Sequence, residues 1–569
     1  MEVNFIGPLG KVTGSCTWMR DQKKGWSFLI DCGMQQGEVT ADEWNHQTWP
    51  FEPSEIKFIV LTHAHMDHSG LIPSLYDSGF NGKVYCTEET AAIADTQYRN
   101  SIHLNPDLFN QKNIDGIKWC HFKKEPILGS YHPVDNDLFI QFLRTGHILG
   151  AVSVGIFWGP PRSPEQRSIV FSGDIGPQSE EHEALPTIRH FMNPGKHNYA
   201  VMESTYGSTN RTSTEKDPGT RRAHLKSLVD RTMSNQGTLI IPAFALGRSQ
   251  DILFDLHAIA AEEPDQYERI DFYYDFPLGK EIIDRTAPFW SKTESNLKKT
   301  RPLWLGKQIF KLLGLTNNDP EHLQQAIKAM LSISLHQDDP DWAGLEGGNK
   351  IAENWKPIVA NNPPSPDEVA SSNRPTVIIT GSGNGDAGKA SSWLSNLLTK
   401  DTTTVAVTGY CGSKTVCGKL LSIKSLSIPN RRMSENIIEW SNIDRSVAVA
   451  DIRASIEEIK GYSAHGDQED LLNWALRNAI DGYLPAGDTF FLQHGDNHNR
   501  NSLRTALYKK AQELGFNIDV QLPEATTGWI SLESSESAHR DADFELIMEM
   551  LHQRPELKGM IREKEESQS

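Results

Sequence analysis

Apolar and polar positions along the chain fall into a recurring pattern. Short apolar runs end abruptly in a small, acidic or imidazole side chain. Ser27–Ile30 runs into Asp31-Cys32-Gly33, and Ile56–Leu61 into Thr62-His63. Leu138–Leu143 precedes Thr145-Gly146-His147, and Ile169–Ser172 precedes Gly173-Asp174. Ala200–Met202 ends at Glu203, and Phe490–Leu492 at Gln493-His494. Runs of this length bounded by turn signals predict buried strands. Helical spacing predicts helices over Leu71–Ser78, over Thr87–Ile102 with Thr87 as cap, and over Leu503–Leu514, stopped by Gly515. Residues 103–137 and 177–197 read as irregular, and a last strand is expected over Asn517–Leu522.

The middle of the chain changes rhythm. A helix over Arg221–Ser234, a strand over Thr238–Ile241, a helix to Ala261 and strands over Asp271–Tyr274, Thr376–Thr380 and Val405–Tyr410 alternate. Strand alternating with helix predicts a parallel sheet. Asp319-Pro320 opens a predicted helix to about Leu335, and Asn361–Pro366 reads as a loop. Residues 533–569 are strongly charged, with a predicted helix over Asp543–Gln553 and a disordered end.

Chemistry concentrates in Leu61-Thr62-His63-Ala64-His65-Met66-Asp67-His68-Ser69-Gly70. His63 and His65, two apart in an extended exit from a strand, face the same side. Asp67 and His68 follow where the chain turns toward a helix. The segment can offer two imidazoles to one divalent ion and a carboxylate plus an imidazole to a second. Such donors suit zinc and related ions.

Composition bounds the rest. The 569 residues allow two or more domains, and 38% hydrophobic with 23% charged residues describes a globular chain. The six cysteines form no disulfide framework, which predicts a reducing compartment. With no signal-like N-terminus and no bilayer-length apolar run, a cytoplasmic protein without membrane contact is expected. A net charge of -18 argues against whole-surface binding of nucleic acid and confines any such binding to a local groove.

The motif HxHxDH at residues 63–68 resembles the metallo-β-lactamase superfamily. VTGSC…LIDCG around Asp31, GHILG at His147 and SGDIG at Asp174 resemble its other motifs. ESTYG from Glu203, IPAFALGRSQ, DFPLG, GYSAHGD around His465 and the strand ending in His494 resemble the β-CASP group, whose members act on nucleic acids. The resemblance implies an α/β fold: a metallo-β-lactamase αββα sandwich over 1–207 and 461–532, with a parallel-sheet β-CASP domain inserted over 208–460. Residues 285–375 would elaborate that insertion, and 533–569 would be a tail; either is a candidate surface for a protein partner or a homodimer. The resemblance further implies two Zn2+ ions, one held by His63, His65 and His147, the other by Asp67, His68 and His494, with Asp174 shared. Asp31 would orient a ligand.

On the same basis Glu203 and His465 would protonate the leaving oxygen of a phosphodiester attacked by a metal-activated hydroxide, with Asp67 also in the catalytic set. The implied activity is a ribonuclease, most simply an endonuclease. A 5′-exoribonuclease or DNA nuclease is the alternative; a small-molecule hydrolase or a non-catalytic scaffold fits less well. RNA is favoured over DNA because motif B carries a histidine. Arg248, Ser382, Lys389 and Lys414 are candidate substrate-binding residues. Asn384 and Asp386 stand where family members continue with a Met and paired glycines, so no 5′-phosphate pocket is expected and an internal cut is.

Overall fold

The computed structural model describes the chain apart from residues 37–40, 124–125, 162, 179–190, 291, 297–298, 305–362, 373, 410, 441, 477–483 and 533–569. The expected helices over 319–335 and 543–553, most of the 285–375 elaboration, Tyr410 and the charged tail therefore lie outside the described residues.

Three principal sheets organise the molecule. The first runs in the order Ile530–Ser531, Glu2–Phe5, Thr17–Asp21, Trp26–Ile30, Phe58–Val60, Lys83–Tyr85, Trp119–Cys120. The second runs Asp519–Gln521, Thr489–Leu492, Tyr199–Met202, Arg167–Phe171, Val152–Trp158, Leu138–Arg144, Tyr131–Asp135. Alternate side chains separate the faces of this second sheet, as the strand period of two requires. Ile169, Phe171, Val201 and Phe491 join the core shared with the first sheet. Val170, Ala200, Met202, Phe490 and Leu492 pack under helices Gln468–Leu476 and Asn497–Leu514. The Phe5 and Phe491 rings, 5.4 Å apart, bridge the two sheets. Helices Ile72–Asp77 and Glu88–Ser101 add Leu75, Ile93 and Tyr98 to the same core. The Thr87 side chain caps the second of them by accepting from the Thr90 amide.

The third sheet is wholly parallel: Asp271–Asp275, Thr376–Thr380, Thr238–Pro242, Thr403–Val407, Ser455–Glu458. Its central strands are buried at every position, because helices cover both faces. Pro218–Ser234 and Arg248–Glu262 lie toward the sandwich core, with Gly388–Leu397 and Val416–Ser422 on the other side.

Three expectations need correction. Residues 103–137 are not simply irregular; they hold helix Gln111–Asp115 and strands Trp119–Cys120 and Tyr131–Asp135. The latter is an edge strand that tolerates Pro133, which hid it from the apolar pattern. Val152–Trp158, buried at all its positions, is a further strand that the apolar runs do not mark, because Ser153 and Gly155 interrupt its apolar sequence. The strand near 517–522 is not the last: Ile530 and Ser531 return to pair with Val3 and Glu2.

Candidate active site

Every residue of the histidine-carboxylate set sits just beyond a strand end, on one edge of the facing sheets. Asp31 follows Trp26–Ile30, and His63–His68 follow Phe58–Val60 into the short helix Met66–Ser69. His147, Asp174, Glu203 and His494 follow strands of the second sheet. Asp31 and His494 adopt left-handed backbone, with φ of 58° and 51°, which turns each side chain sharply off its strand. Gly33 permits the close approach of the Asp31 loop: a Cβ there would lie 1.7 Å from the Asp67 carbonyl oxygen.

The donors converge on two points. His63 Nε2 and His147 Nε2 stand 3.1 and 3.0 Å from His65 Nδ1. Asp174 Oδ2 lies 3.3 and 3.4 Å from His63 Nε2 and His147 Nε2. The other carboxylate oxygen, Oδ1, lies 3.1 Å from His68 Nε2 and 3.4 Å from His494 Nε2. Asp67 Oδ2 is 3.8 Å from His494 Nε2. Thus Asp174 divides its two oxygens between two donor sets.

The Nδ1 atoms of His63, His68, His147 and His494 point outward to protein. His68 Nδ1 meets Asp31 Oδ2 at 2.7 Å, and Asp31 also accepts from the Thr62 amide and hydroxyl at 2.8 and 2.9 Å. His63 Nδ1 meets Thr62 Oγ1 at 3.1 Å and His494 Nδ1 meets Ser15 Oγ at 2.9 Å. His147 Nδ1 donates to the Ala464 carbonyl at 2.9 Å. Outer partners of this kind fix ring orientation and leave the inner nitrogen available.

A divalent cation fits this arrangement on the molecule's own terms. His68 Nε2, His494 Nε2 and Asp174 Oδ1 are buried with no hydrogen-bond partner, yet face one another. Leaving such groups unsatisfied is costly unless an ion joins them. Burial lowers the His63 pKa to about 4 and that of His65 to about 3, and pushes His147 well below the usual range. Burial thus favours the neutral, ligating form of these three rings, whereas at His68 burial is outweighed by Asp174 and Asp31, which raise the pKa well above its usual value. Burial raises the Asp174 carboxyl, but His494 and His68, the largest opposing causes, outweigh it and hold the pKa well below the usual value.

Beside this cluster, His465 Nδ1 lies 3.1 and 3.3 Å from the Glu203 oxygens, and its Nε2 lies 3.7 Å from Asp174 Oδ2. Burial disfavours the imidazolium, but Glu203, Asp174 and Asp67 raise the His465 pKa above its usual value. Glu203 is fixed from behind by the Ile175 amide, at 2.5 Å.

The four candidate substrate residues lie in the inserted region. Arg248 opens its helix, and the preceding Gly247 approaches Ile148: a Cβ there would lie 3.2 Å from the Ile148 side chain. Its guanidinium stacks 4.9 Å from the exposed Phe244 ring. Ser382 accepts from the Ala387 amide at 3.4 Å, within the glycine loop. Lys389 and Lys414 are exposed. Among the described residues, no hydrogen bond or ion pair ties these two lysines to the histidine cluster.

Thr62, Ser15, the Ala464 carbonyl and Arg211, which donates to the His465 carbonyl, were not singled out by sequence reasoning. Ser15 and Thr62 do sit inside the motifs, but a hydroxyl carries no signal of its partner.

Comparison with known proteins places this geometry in a class. Three family models match in chain order: the metallo-β-lactamase superfamily over residues 9–161, the β-CASP domain over 249–420, and a Zn-dependent metallo-hydrolase RNA specificity domain over 449–523. The chain belongs to the β-CASP group of the metallo-β-lactamase superfamily. A ribonuclease of Thermus thermophilus is 24% identical over 91% of this chain and 98% of its own. The transcription termination factor FttA of Methanosarcina mazei is 22% identical over 90% of this chain and 69% of its own length. Cleavage and polyadenylation specificity factor 73 of Drosophila melanogaster is 28% identical over 49% of this chain and 39% of its own. The superfamily binds divalent metal, consistent with the clusters described. Among the described residues no helix is long and apolar enough to cross a membrane.

Proposed function

We propose that this protein is a metal-dependent ribonuclease that cuts phosphodiester bonds internally, with two zinc ions in the paired donor sets. The observation that carries this reading is the division of Asp174 between His63, His65 and His147 on one oxygen and His68, His494 and Asp67 on the other, with the His465–Glu203 pair alongside. The nitrogen-rich, thiolate-free donor set suits zinc. Two such ions, when bound, supply a nucleophilic water at neutral pH and positive charge against the phosphoryl oxygens.

The protein's own groups do the rest. Asp31, Thr62, Ser15 and the Ala464 carbonyl hold the imidazoles in place. His465 takes the tautomer set by Glu203, with Nδ1–H toward the carboxylate and Nε2 toward the cleft. As hydroxide attacks phosphorus, the bond to the leaving ribose oxygen breaks, and the His465 Nε2 proton goes to that oxygen. Glu203, against Nδ1, favours the protonated ring.

RNA as substrate is supported by the ribonuclease and the RNA-processing factor among the relatives. Internal cutting is supported by the glycine loop: Asp386 Oδ1 accepts from the Val416 amide at 2.7 Å. A carboxylate there fills a helix-start amide that a terminal phosphate would otherwise use. The test is incubation of purified protein with end-labelled RNA and DNA of matched sequence. Internal RNA fragments are expected; stepwise mononucleotide release, DNA-only cleavage or no cleavage would overturn the reading.

A further inference from the structure

We propose that Arg211 is a positioning residue for the proton donor: its guanidinium holds the His465 loop in register with Glu203. The inference rests on the function proposed above. Arg211 follows the strand that ends at Glu203 and reaches across to the returning chain. Its Nη1 donates to the His465 carbonyl at 2.8 Å and its Nη2 to Ser463 Oγ at 3.1 Å. Its backbone amide donates to Asp467 Oδ2 at 2.9 Å. One residue therefore grips positions 463, 465 and 467, and Ser463 Oγ in turn accepts from the His465 amide at 3.3 Å.

The guanidinium also lies 4.7 Å from the Tyr206 ring centroid, and that ring meets the His465 imidazole edge-on at 6.0 Å. The segment from Glu203 through Tyr206 to Arg211 thus contacts the His465 loop by a carboxylate, a ring and a fork. Glu203 itself is anchored elsewhere, on the Ile175 amide. On the His465 side the Ala464 carbonyl accepts from His147 and the Gly466 amide donates to the Ile175 carbonyl at 2.7 Å, and Arg211 adds the anchor on the His465 carbonyl itself. A planar fork holds two acceptors in one fixed geometry, whereas a lysine ammonium is a single donor point on a flexible stem. With both terminal nitrogens engaged by protein and the ring stacked against it, Arg211 is not disposed to take a phosphate.

The test uses the metal-loaded full chain carrying Arg211→Lys or Arg211→Met, with His465→Ala in parallel. Each is assayed on an RNA and on the same RNA with sulfur replacing the leaving oxygen, which departs without a proton. For both Arg211 variants, kcat on ordinary RNA should fall about 10- to 100-fold, part of the roughly 100- to 10,000-fold that proton transfer contributes. KM, metal content and the salt dependence of RNA binding should stay at wild-type values, and the sulfur substrate should recover most of the loss. Arg211→Lys keeps the charge over Tyr206, so a folding failure confined to Arg211→Met leaves the test intact. A raised KM with a shallower salt dependence would make Arg211 a phosphate contact and overturn the proposal. Equal losses on both substrates, with His465→Ala rescued by sulfur, would overturn it as well. If His465→Ala itself gains nothing from sulfur, the proton-donor reading falls first and Arg211 loses its assigned role with it.

Discussion

Replacing Asp255 by Ala should destabilise the protein strongly, because Asp255 is the anion of a buried polar cluster that joins the inserted domain to the His465 segment. Its Oδ2 accepts from Arg221 Nε at 2.7 Å and from the Tyr462 hydroxyl at 2.8 Å. Its Oδ1 accepts from Arg221 Nη2 at 3.3 Å and Arg222 Nε at 3.2 Å. The Arg221 and Asp255 side chains are 1% and 0% exposed. Removing the carboxylate leaves the Arg221 charge without its paired anion in a site closed to water. Breaking a buried pair in this way costs about 3–5 kcal/mol. The orphaned Tyr462 hydroxyl adds about 1 kcal/mol. Tyr462→Phe, which leaves the ion pair intact, should cost only about 1 kcal/mol. Against a typical folding stability of about 5–15 kcal/mol, the first change is large and the second small.

The assay is urea unfolding followed by the fluorescence of the 14 tryptophans, repeated across pH. Burial raises the Asp255 pKa, but Arg221 and Arg222 outweigh it, so the folded value lies below the usual carboxylate range. A depressed folded pKa gives stability that is complete above the unfolded value, near 3.9, and is lost as pH falls through the folded value. The gap between wild type and Asp255→Ala should therefore be constant from neutral pH to about 5 and should narrow below about 4. A loss under about 1 kcal/mol at neutral pH, or a gap that widens in acid, would refute the reasoning.

Asp174→Ala should lose metal and activity together; elemental analysis showing full occupancy in the variant would remove the bridging role. His465→Ala should keep metal and RNA binding while turnover falls roughly 100- to 10,000-fold, with Glu203→Gln falling less in the same direction, measured as kcat at saturating RNA. Charge reversal at Arg248, Lys389 and Lys414 together should weaken RNA binding and flatten its salt dependence; unchanged affinity would place the RNA on another face.

The chain's local order made much of this site legible. A run such as Ile56–Leu61 marks a buried strand by itself, and the residues just past a strand end emerge at one sheet edge. His63 to His68 were therefore readable as a candidate donor cluster from the residues themselves, while His147, Asp174 and His494 joined it through the resemblance to the metallo-β-lactamase and β-CASP motifs. The parallel sheet was readable too, from strands alternating with helices. Other features had no local mark. Val152–Trp158 is buried at every position, yet Ser153 and Gly155 break its apolar run, so the continuous signal of a buried strand is lost. The pairing of Val3 with Ile530 depends on closure of the whole chain. The same holds for the partners that orient the imidazoles: Ser15 with His494, Ala464 with His147, and Arg211 with His465. Sequence alone determined which side chains are candidates for the chemistry, because residue type, motif and strand-end position are local properties. Only the tertiary structure decided which nitrogen faces inward and what holds it there, because a hydroxyl or carbonyl becomes a specific partner only when segments remote along the chain are folded to within hydrogen-bond distance.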